Sequence, residues 1–126
     1  VCTTVEMSKA DKGELINSYD NSILYTDYIL DQVIGQLKEL PEWRSCMMYI
    51  SDHGESLGEG GLYMHGVPIA ISPREQLEIP FIVWTSDTSL KIKNMEVYKQ
   101  YHVFHSVMNF LGARSDIYDE TMNIFE

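Results

Sequence analysis

Apolar residues recur at helical spacing over the first third of the chain. Asp11 followed by Glu14 is typical of a capping box at the start of a helix, and Pro41 ends the pattern. The spacing predicts one helix of about 27 residues, roughly 40 Å long at 1.5 Å per residue. Its apolar positions are Leu15, Ile16, Tyr19, Ile23, Leu30, Val33, Ile34 and Leu37.

Two short continuous apolar runs follow, and each predicts a β-strand. The first covers Cys46–Ile50 and the second covers Ile79–Trp84, with Pro80 near its start, where a missing backbone donor is tolerated. Runs of this kind suit strands that are buried on both faces, as in a parallel sheet. Residues 101–111 predict a second amphipathic helix that stops at Gly112. The order predicts an α/β fold in which a parallel or mixed sheet is flanked by helices.

Composition narrows the functional classes. The chain has 126 residues, and 9 Lys and Arg against 19 Asp and Glu give a net charge of -10. An acidic chain lacks the basic surface that nucleic acids or anionic lipid headgroups require. No apolar run is long enough to span a bilayer, and the length suits one domain. The first residue is Val1, with no signal-peptide pattern, so we expect either one small acidic domain or a piece of a longer protein.

The two cysteines give little information about the fold. Cys46 lies in a predicted strand and Cys2 lies in a polar leader, so two separate thiols are favoured over one disulfide bridge. Neither residue belongs to a spacing that is typical of a structural zinc site.

The loop that follows the first strand carries the candidate chemistry. Ligands in open α/β sheets bind beyond the carboxyl ends of strands. Asp52 and His53 offer an oxygen and a nitrogen ligand at such an end, and His65 returns a second imidazole twelve residues later. This ligand chemistry suits zinc, or manganese with more oxygen ligands.

Plainer interpretations of the same loop stay open. An Asp-His pair is also typical of a solvated turn or a helix cap. Glu55 and Glu59 are either outer-shell partners of the imidazoles or exposed loop carboxylates. The residues by themselves provide neither a third strong ligand nor a nucleophile at a strand end, and so they predict half of a metal site.

Beyond spacing, residues 49–66 closely resemble the fingerprint of the bacterial phosphoethanolamine transferases, which modify lipid A and related surface glycans. They read Y-I-S-D-H-G-E-S-L-G-E-G-G-L-Y-M-H-G. The resemblance continues in four other stretches, which makes it specific. They are residues 14–31, 68–84, 103–113 and 116–125.

The resemblance implies an alkaline phosphatase and sulfatase-like fold, of which residues 1–126 form the C-terminal part of a periplasmic catalytic domain. The N-terminal membrane domain and the first part of the catalytic domain would be absent, and with them the Thr nucleophile. It implies that Asp52 and His53 are zinc ligands. It also implies that His65 is catalytic and contacts the transferred phosphoryl group or a second metal.

The chain departs from the family pattern at two places. Relatives often pair the cysteine equivalent to Cys2 with one about eight residues later, where this chain has Ala10. Many relatives have a His-Asp pair before the last helix, where this chain has Gln100 and Tyr101. We assign no catalytic role to Gln100 or Tyr101. Structural roles are favoured for the nearby His102 and His105. Thr3 and Thr4 match no motif and are not proposed as nucleophiles.

The function implied is transfer of phosphoethanolamine from phosphatidylethanolamine to lipid A or another cell-surface glycan through a covalent Thr intermediate. The parent enzyme would work at the periplasmic face of the bacterial inner membrane, held there by its missing N-terminal domain. The piece itself is expected to be soluble, to lack transferase activity and to self-associate through exposed core surface. The alternatives are a sulfatase, a phosphoglycerol transferase of the same superfamily, or an inactive structural fragment.

Overall fold

The computed structural model describes residues 6–126, so Cys2, Thr3 and Thr4 lie outside the described residues. These residues form two compact units. The first contains the described residues up to Glu39 together with Ser51–Pro80, and the second contains Leu40–Ile50 and Phe81–Glu126. The helices are α1 (Lys12–Lys38), α2 (Arg74–Leu77) and α3 (Tyr101–Phe110). The strands are β1 (Cys46–Ile50), β2 (Ser56–Leu57), β3 (Tyr63–Met64) and β4 (Phe81–Thr85). Short 3-10 turns occupy Met7–Lys9, Glu59–Gly61, Ile69–Ile71 and Glu120–Met122.

Helix α1 of the first unit confirms the predicted start and length. The Asp11 carboxylate accepts a hydrogen bond from the Glu14 backbone N–H, and the helix runs for 27 residues. Leu15 is its one buried residue in this structure. Large apolar side chains along the helix stay exposed; they include Ile23, Leu24, Tyr25 and Tyr28. The apolar spacing thus predicted the helix correctly. Most of the apolar surface of the helix is not covered by the described part of the chain.

Strands β1 and β4 of the second unit pair in antiparallel register, from Cys46 opposite Thr85 to Ile50 opposite Phe81. The bounds of β1 are those predicted. Strand β4 begins two residues later than predicted, after Pro80, whose ring nitrogen has no hydrogen to donate to a ladder. The sequence predicted a parallel or mixed sheet, and a mixed sheet contains both parallel and antiparallel pairs of strands. The described strands form no parallel pair.

The expectation of strands buried on both faces is wrong for this sheet. Met47 is the only buried residue in β1, and β4 has none. An antiparallel pair of strands has too few neighbours to cover both of its faces, and so the apolar run is only half-buried. Cys46 is half-buried with a free thiol, and burial raises its pKa.

Helix α3 and the last residues of the chain form the core of the second unit. The helix confirms the prediction for residues 101–111, and it stops at Gly112, which has a φ of +63°. Ser106 is fully buried, and its hydroxyl donates to the His102 carbonyl and accepts from the Ile124 backbone N–H. Ile124 and Phe125 are 1% exposed, so the chain terminus packs as core.

Candidate metal centre

A small hairpin in the first unit brings the distant residues of the candidate loop together. Strands β2 and β3 pair antiparallel, with Ser56 opposite Met64 and Leu57 opposite Tyr63. Gly58 turns the chain between them with a φ of +117°, a conformation that glycine adopts without steric cost. Because Glu55 precedes the first pair and His65 follows it, the hairpin places these two side chains side by side.

Glu55 and His65 form a carboxylate–imidazole pair. The His65 Nδ1 lies 3.0 Å from the Glu55 Oε2. An ionised carboxylate only accepts hydrogen bonds, and therefore this contact assigns the ring proton to Nδ1. The lone pair of His65 is then on Nε2. The other Glu55 oxygen, Oε1, is buried and finds no hydrogen-bond partner among residues 6–126.

His53 has the same tautomer through a different acceptor. Its Nδ1 lies 2.9 Å from the Gly54 carbonyl oxygen, which can only accept, so the ring proton is again on Nδ1. The His53 and His65 rings stack, with their centroids 3.5 Å apart and their planes 28° apart. The hairpin therefore holds two imidazoles whose Nε2 atoms carry lone pairs.

Three side chains in the described part of the chain bring possible ligand atoms together: His53, Glu55 and His65 each have one within 4.8 Å of the others. Ligands of one zinc ion lie about 2.0–2.2 Å from it, so any two of them are at most about 4.4 Å apart. The cluster would need to close by a few tenths of an ångström. Two imidazole nitrogens and a carboxylate oxygen are ligand types that suit zinc.

The structure brings His53 and His65 together, and it places Asp52 at the edge of the cluster. The Asp52 Oδ2 lies 3.7 Å from the His53 Nε2, on a side chain that is 89% exposed. Zinc ligands bound at about 2.0–2.2 Å can be that far apart, so Asp52 and His53 could share an ion. The assignment of Asp52 and His53 as metal ligands and of His65 as catalytic stays a prediction.

The two loop glutamates, for which the sequence left alternatives open, have different roles. Glu55 is half-buried against His65, which is the arrangement of an outer-shell partner. Glu59 instead accepts a hydrogen bond from the backbone N–H of Leu57 and so stabilises the turn of its own hairpin. The ten-residue separation of Glu55 from His65 indicated nothing until the hairpin register was known.

Sequence reasoning missed the strained residue beside His65. Met64 has a φ of +63°, the only positive value for a non-glycine residue in the described chain. Such a conformation costs about 1–3 kcal/mol and is concentrated at functional sites. No feature of the local sequence indicates it.

His102 and His105 on α3 have fold-supporting contacts, in agreement with the structural roles predicted for them. The Nδ1 atom of His102 accepts a hydrogen bond from the Lys99 backbone N–H at 3.0 Å, and the Nδ1 of His105 accepts from that of Asp119 at 3.0 Å. His102 is 3% exposed, and burial lowers its pKa, with the Lys99 charge adding to the effect.

Curated relatives of the chain are phosphoethanolamine transferases. It is 43% identical to phosphoethanolamine transferase EptA of Helicobacter pylori over 111 residues, which are 85% of this chain and 21% of that protein. It is 34% identical to phosphoethanolamine transferase EptA of Escherichia coli, over 99% of this chain and 25% of that protein. The chain therefore spans about a quarter or less of the length of these two relatives.

Solved structures of related domains have the same fold. The soluble domain of lipooligosaccharide phosphoethanolamine transferase A from Neisseria meningitidis superposes with a TM-score of 0.88 at 35% identity. The C-terminal periplasmic domain of phosphoethanolamine transferase EptC from Campylobacter jejuni gives 0.83 at 39% identity. These matches cover 99% and 98% of this chain, and 41% of each neighbour, so the chain has part of an alkaline phosphatase and sulfatase-like domain.

No helix among the described residues combines the length and the apolar character needed to cross a membrane. The chain also superposes on the integral membrane protein lipooligosaccharide phosphoethanolamine transferase A from Neisseria meningitidis, with a TM-score of 0.88 at 35% identity over 26% of that protein. The sulfatase family profile matches residues 2–113. On this match, the chain belongs to the sulfatase family.

Proposed function

We propose that this chain supplies part of the active site of a phosphoethanolamine transferase. The donor is phosphatidylethanolamine and the acceptor is lipid A or another cell-surface glycan. The similarity to phosphoethanolamine transferases over nearly the whole chain supports this substrate class. The single observation that carries the assignment to this loop is the pair of stacked imidazoles with Nε2 lone pairs, His53 and His65.

The proposed cofactor is zinc, held in part by Asp52 and His53. Bound there, zinc would act as a Lewis acid on phosphoryl oxygens and would lower the pKa of a hydroxyl nucleophile. The Asp52 and His53 ligand atoms lie close enough to share one ion, and the Nδ1–H of His53 is fixed by the Gly54 carbonyl. A backbone partner of this kind orients a ligating imidazole and increases its basicity.

His65 is the proposed acid–base and phosphoryl-contacting residue. Phosphoethanolamine would first move to a Thr outside this chain, with diacylglycerol as the leaving group, and then to the acceptor. When an acceptor hydroxyl attacks phosphorus, the bond between phosphorus and the Thr oxygen breaks; the His65 Nε2 lone pair can accept the proton of the attacking hydroxyl and then return it to the departing Thr oxygen. The Glu55 carboxylate, 3.0 Å from the opposite nitrogen, stabilises the imidazolium that results.

The proposed location is the periplasmic face of the inner membrane. Two structural neighbours support it, one a periplasmic domain and one an integral membrane protein. Contact with the membrane is proposed to come through an N-terminal domain outside residues 1–126.

Zinc binding by the chain tests the proposed site. We expect calorimetry to give weak zinc binding that falls at least about tenfold, or about 1.4 kcal/mol, in His53→Ala. His105→Ala is the matched control, since that imidazole lies on α3 and bonds the Asp119 backbone. Equal zinc affinity of the wild-type chain and His53→Ala would remove this residue from the site.

A further inference from the structure

A buried glutamine contacts the chain on both sides of Glu55. Gln76 on α2 is 5% exposed. Its backbone carbonyl accepts a hydrogen bond from the Gly54 N–H at 3.1 Å, and its side-chain Nε2 donates to the Ser56 Oγ at 2.9 Å. Ser56 is fully buried. One residue of α2 therefore holds the two neighbours of Glu55 in the chain.

The approach of α2 to this loop is as close as backbones allow. A Cβ added to Gly54 would lie 2.0 Å from the Glu75 carbonyl oxygen and 2.9 Å from its carbonyl carbon. Real Cβ atoms essentially never come that near to another heavy atom, so only glycine permits the hydrogen bond from Gly54 to Gln76. The contact fixes the backbone immediately before Glu55.

Stability alone is a poor explanation for this glutamine. The Gln76 Oε1 is buried and has no partner within the described part of the chain, which costs about 1–3 kcal/mol and offsets the gain from the bond to Ser56. Two apolar residues of similar shape would be about as stable, because they would leave no polar group unpaired. Two apolar residues would lack the directional hydrogen bond from Gln76 to Ser56. That bond fixes the backbone conformation next to Glu55.

We propose that Gln76 is a positioning residue for the candidate centre: its bonds to Gly54 and Ser56 hold Glu55 in the orientation that receives the His65 Nδ1–H. The relation of this residue to catalysis rests on the proposed function, in which His65 accepts a proton, whereas its effect on the His65 ring does not. Without the bond to Ser56, Glu55 turns away from the ring, and the ring proton is shared between Nδ1 and Nε2.

The test compares a double variant, Gln76→Met with Ser56→Ala, with the wild-type chain. The double variant removes both partners of the bond and creates no new unpaired buried polar group, so we expect it to fold. Gln36→Met is the matched control, on an exposed position of α1. Long-range ¹⁵N–¹H correlation spectra of the metal-free chain at alkaline pH report which ring nitrogen of His65 bears the proton, and calorimetry reports the zinc affinity.

We expect the wild-type chain and Gln36→Met to show the Nδ1–H tautomer of His65, and the double variant to show a mixture at an unchanged melting temperature. Because the double variant keeps Asp52 and His53, the proposed zinc ligands, and the bond from His53 to the Gly54 carbonyl, we expect its zinc affinity to stay close to that of the wild-type chain. If the double variant does not fold, Ser56→Ala breaks the same bond by removing one oxygen and is measured in the same way.

A folded variant with the wild-type His65 tautomer would overturn the positioning role, whether or not zinc binds. A shifted tautomer in a chain that binds no zinc would support the positioning role of Gln76 and contradict the proposed metal site. The two proposals therefore fail on different measurements.

Discussion

The two histidine pairs of this chain use the same ring in opposite ways. In the hairpin region, His53 and His65 donate from Nδ1 to oxygens, at 2.9 Å and 3.0 Å. On α3, His102 and His105 accept at Nδ1 from backbone N–H groups, both at 3.0 Å. The neutral ring has one lone pair and one proton on its nitrogens, so the first pair keeps a lone pair at Nε2 and the second pair uses its lone pair inside the fold.

The difference shows that the partner of Nδ1 determines what an imidazole can do. A ring that donates from Nδ1 presents Nε2 as a metal ligand or a proton acceptor. A ring that accepts at Nδ1 has its proton on Nε2 and can only donate there. His53 and His65 are thereby suited to chemistry, and His102 and His105 stabilise a helix start and a turn before the chain terminus.

The largest effect expected on this comparison comes from Gly54→Ala, because its Cβ would lie 2.0 Å from a backbone oxygen that belongs to α2. We expect the loop and α2 to separate, with a loss of about 3 kcal/mol in the free energy of unfolding and a fall in zinc affinity. Urea denaturation and calorimetry measure the two quantities.

Gly35→Ala is the matched control for this substitution. Its Cβ would meet nothing within 4 Å, at a helical position where alanine is favoured by about 0.5–1 kcal/mol. A Gly54→Ala chain that is as stable as Gly35→Ala would contradict the close approach of the loop to α2.

The next effect separates stability from binding. His102→Ala removes a 3% exposed ring and the acceptor for the Lys99 N–H, so we expect a loss of about 2 kcal/mol in unfolding free energy. The zinc affinity of the folded chain should not change, because His102 contributes no ligand atom to the cluster. Weaker zinc binding by a fully folded His102→Ala chain would contradict the separation of the histidines into a metal-binding pair and a structural pair.

The smallest effect is a pH dependence of stability. Burial, together with the charge of Lys99, lowers the pKa of His102 below its ordinary value of about 6.5. The His102 imidazole therefore binds a proton more tightly in the unfolded chain than in the folded chain. The contribution of His102 to stability is complete above the ordinary value and is lost as the pH falls through the folded pKa.

We therefore expect the urea midpoint of the wild-type chain to fall as the pH is lowered below about 6.5, and to fall less in His102→Gln. The pKa values of Asp87 and Asp119 are lowered by hydrogen bonds to Ser89 and Thr121, respectively, so these carboxylates add their own losses in a more acidic range. Parallel curves for the two proteins above that range would contradict the assignment to His102.

Sequence patterns predicted the elements better than their pairing. Capping and periodicity gave α1 its start and length, and the apolar run gave the bounds of β1. The burial of β1 and the start of β4 were predicted less well. The sequence gives the composition of a strand, but it does not say which other elements pack against that strand. The resemblance to phosphoethanolamine transferases predicted the sulfatase-like fold, which the family profile and the superposed domains confirm.

The sequence by itself determined which side chains are available: an Asp-His pair after a strand, a second imidazole, and two glutamates in one glycine-rich loop. Only the tertiary structure decided which of them meet. The register of β2 with β3 brought Glu55 to His65, and the approach of α2 put Gln76 on both sides of Glu55. For His65 the physical reason is that its ring proton is assigned by Glu55, ten residues away along the chain, and local pattern has no access to that partner.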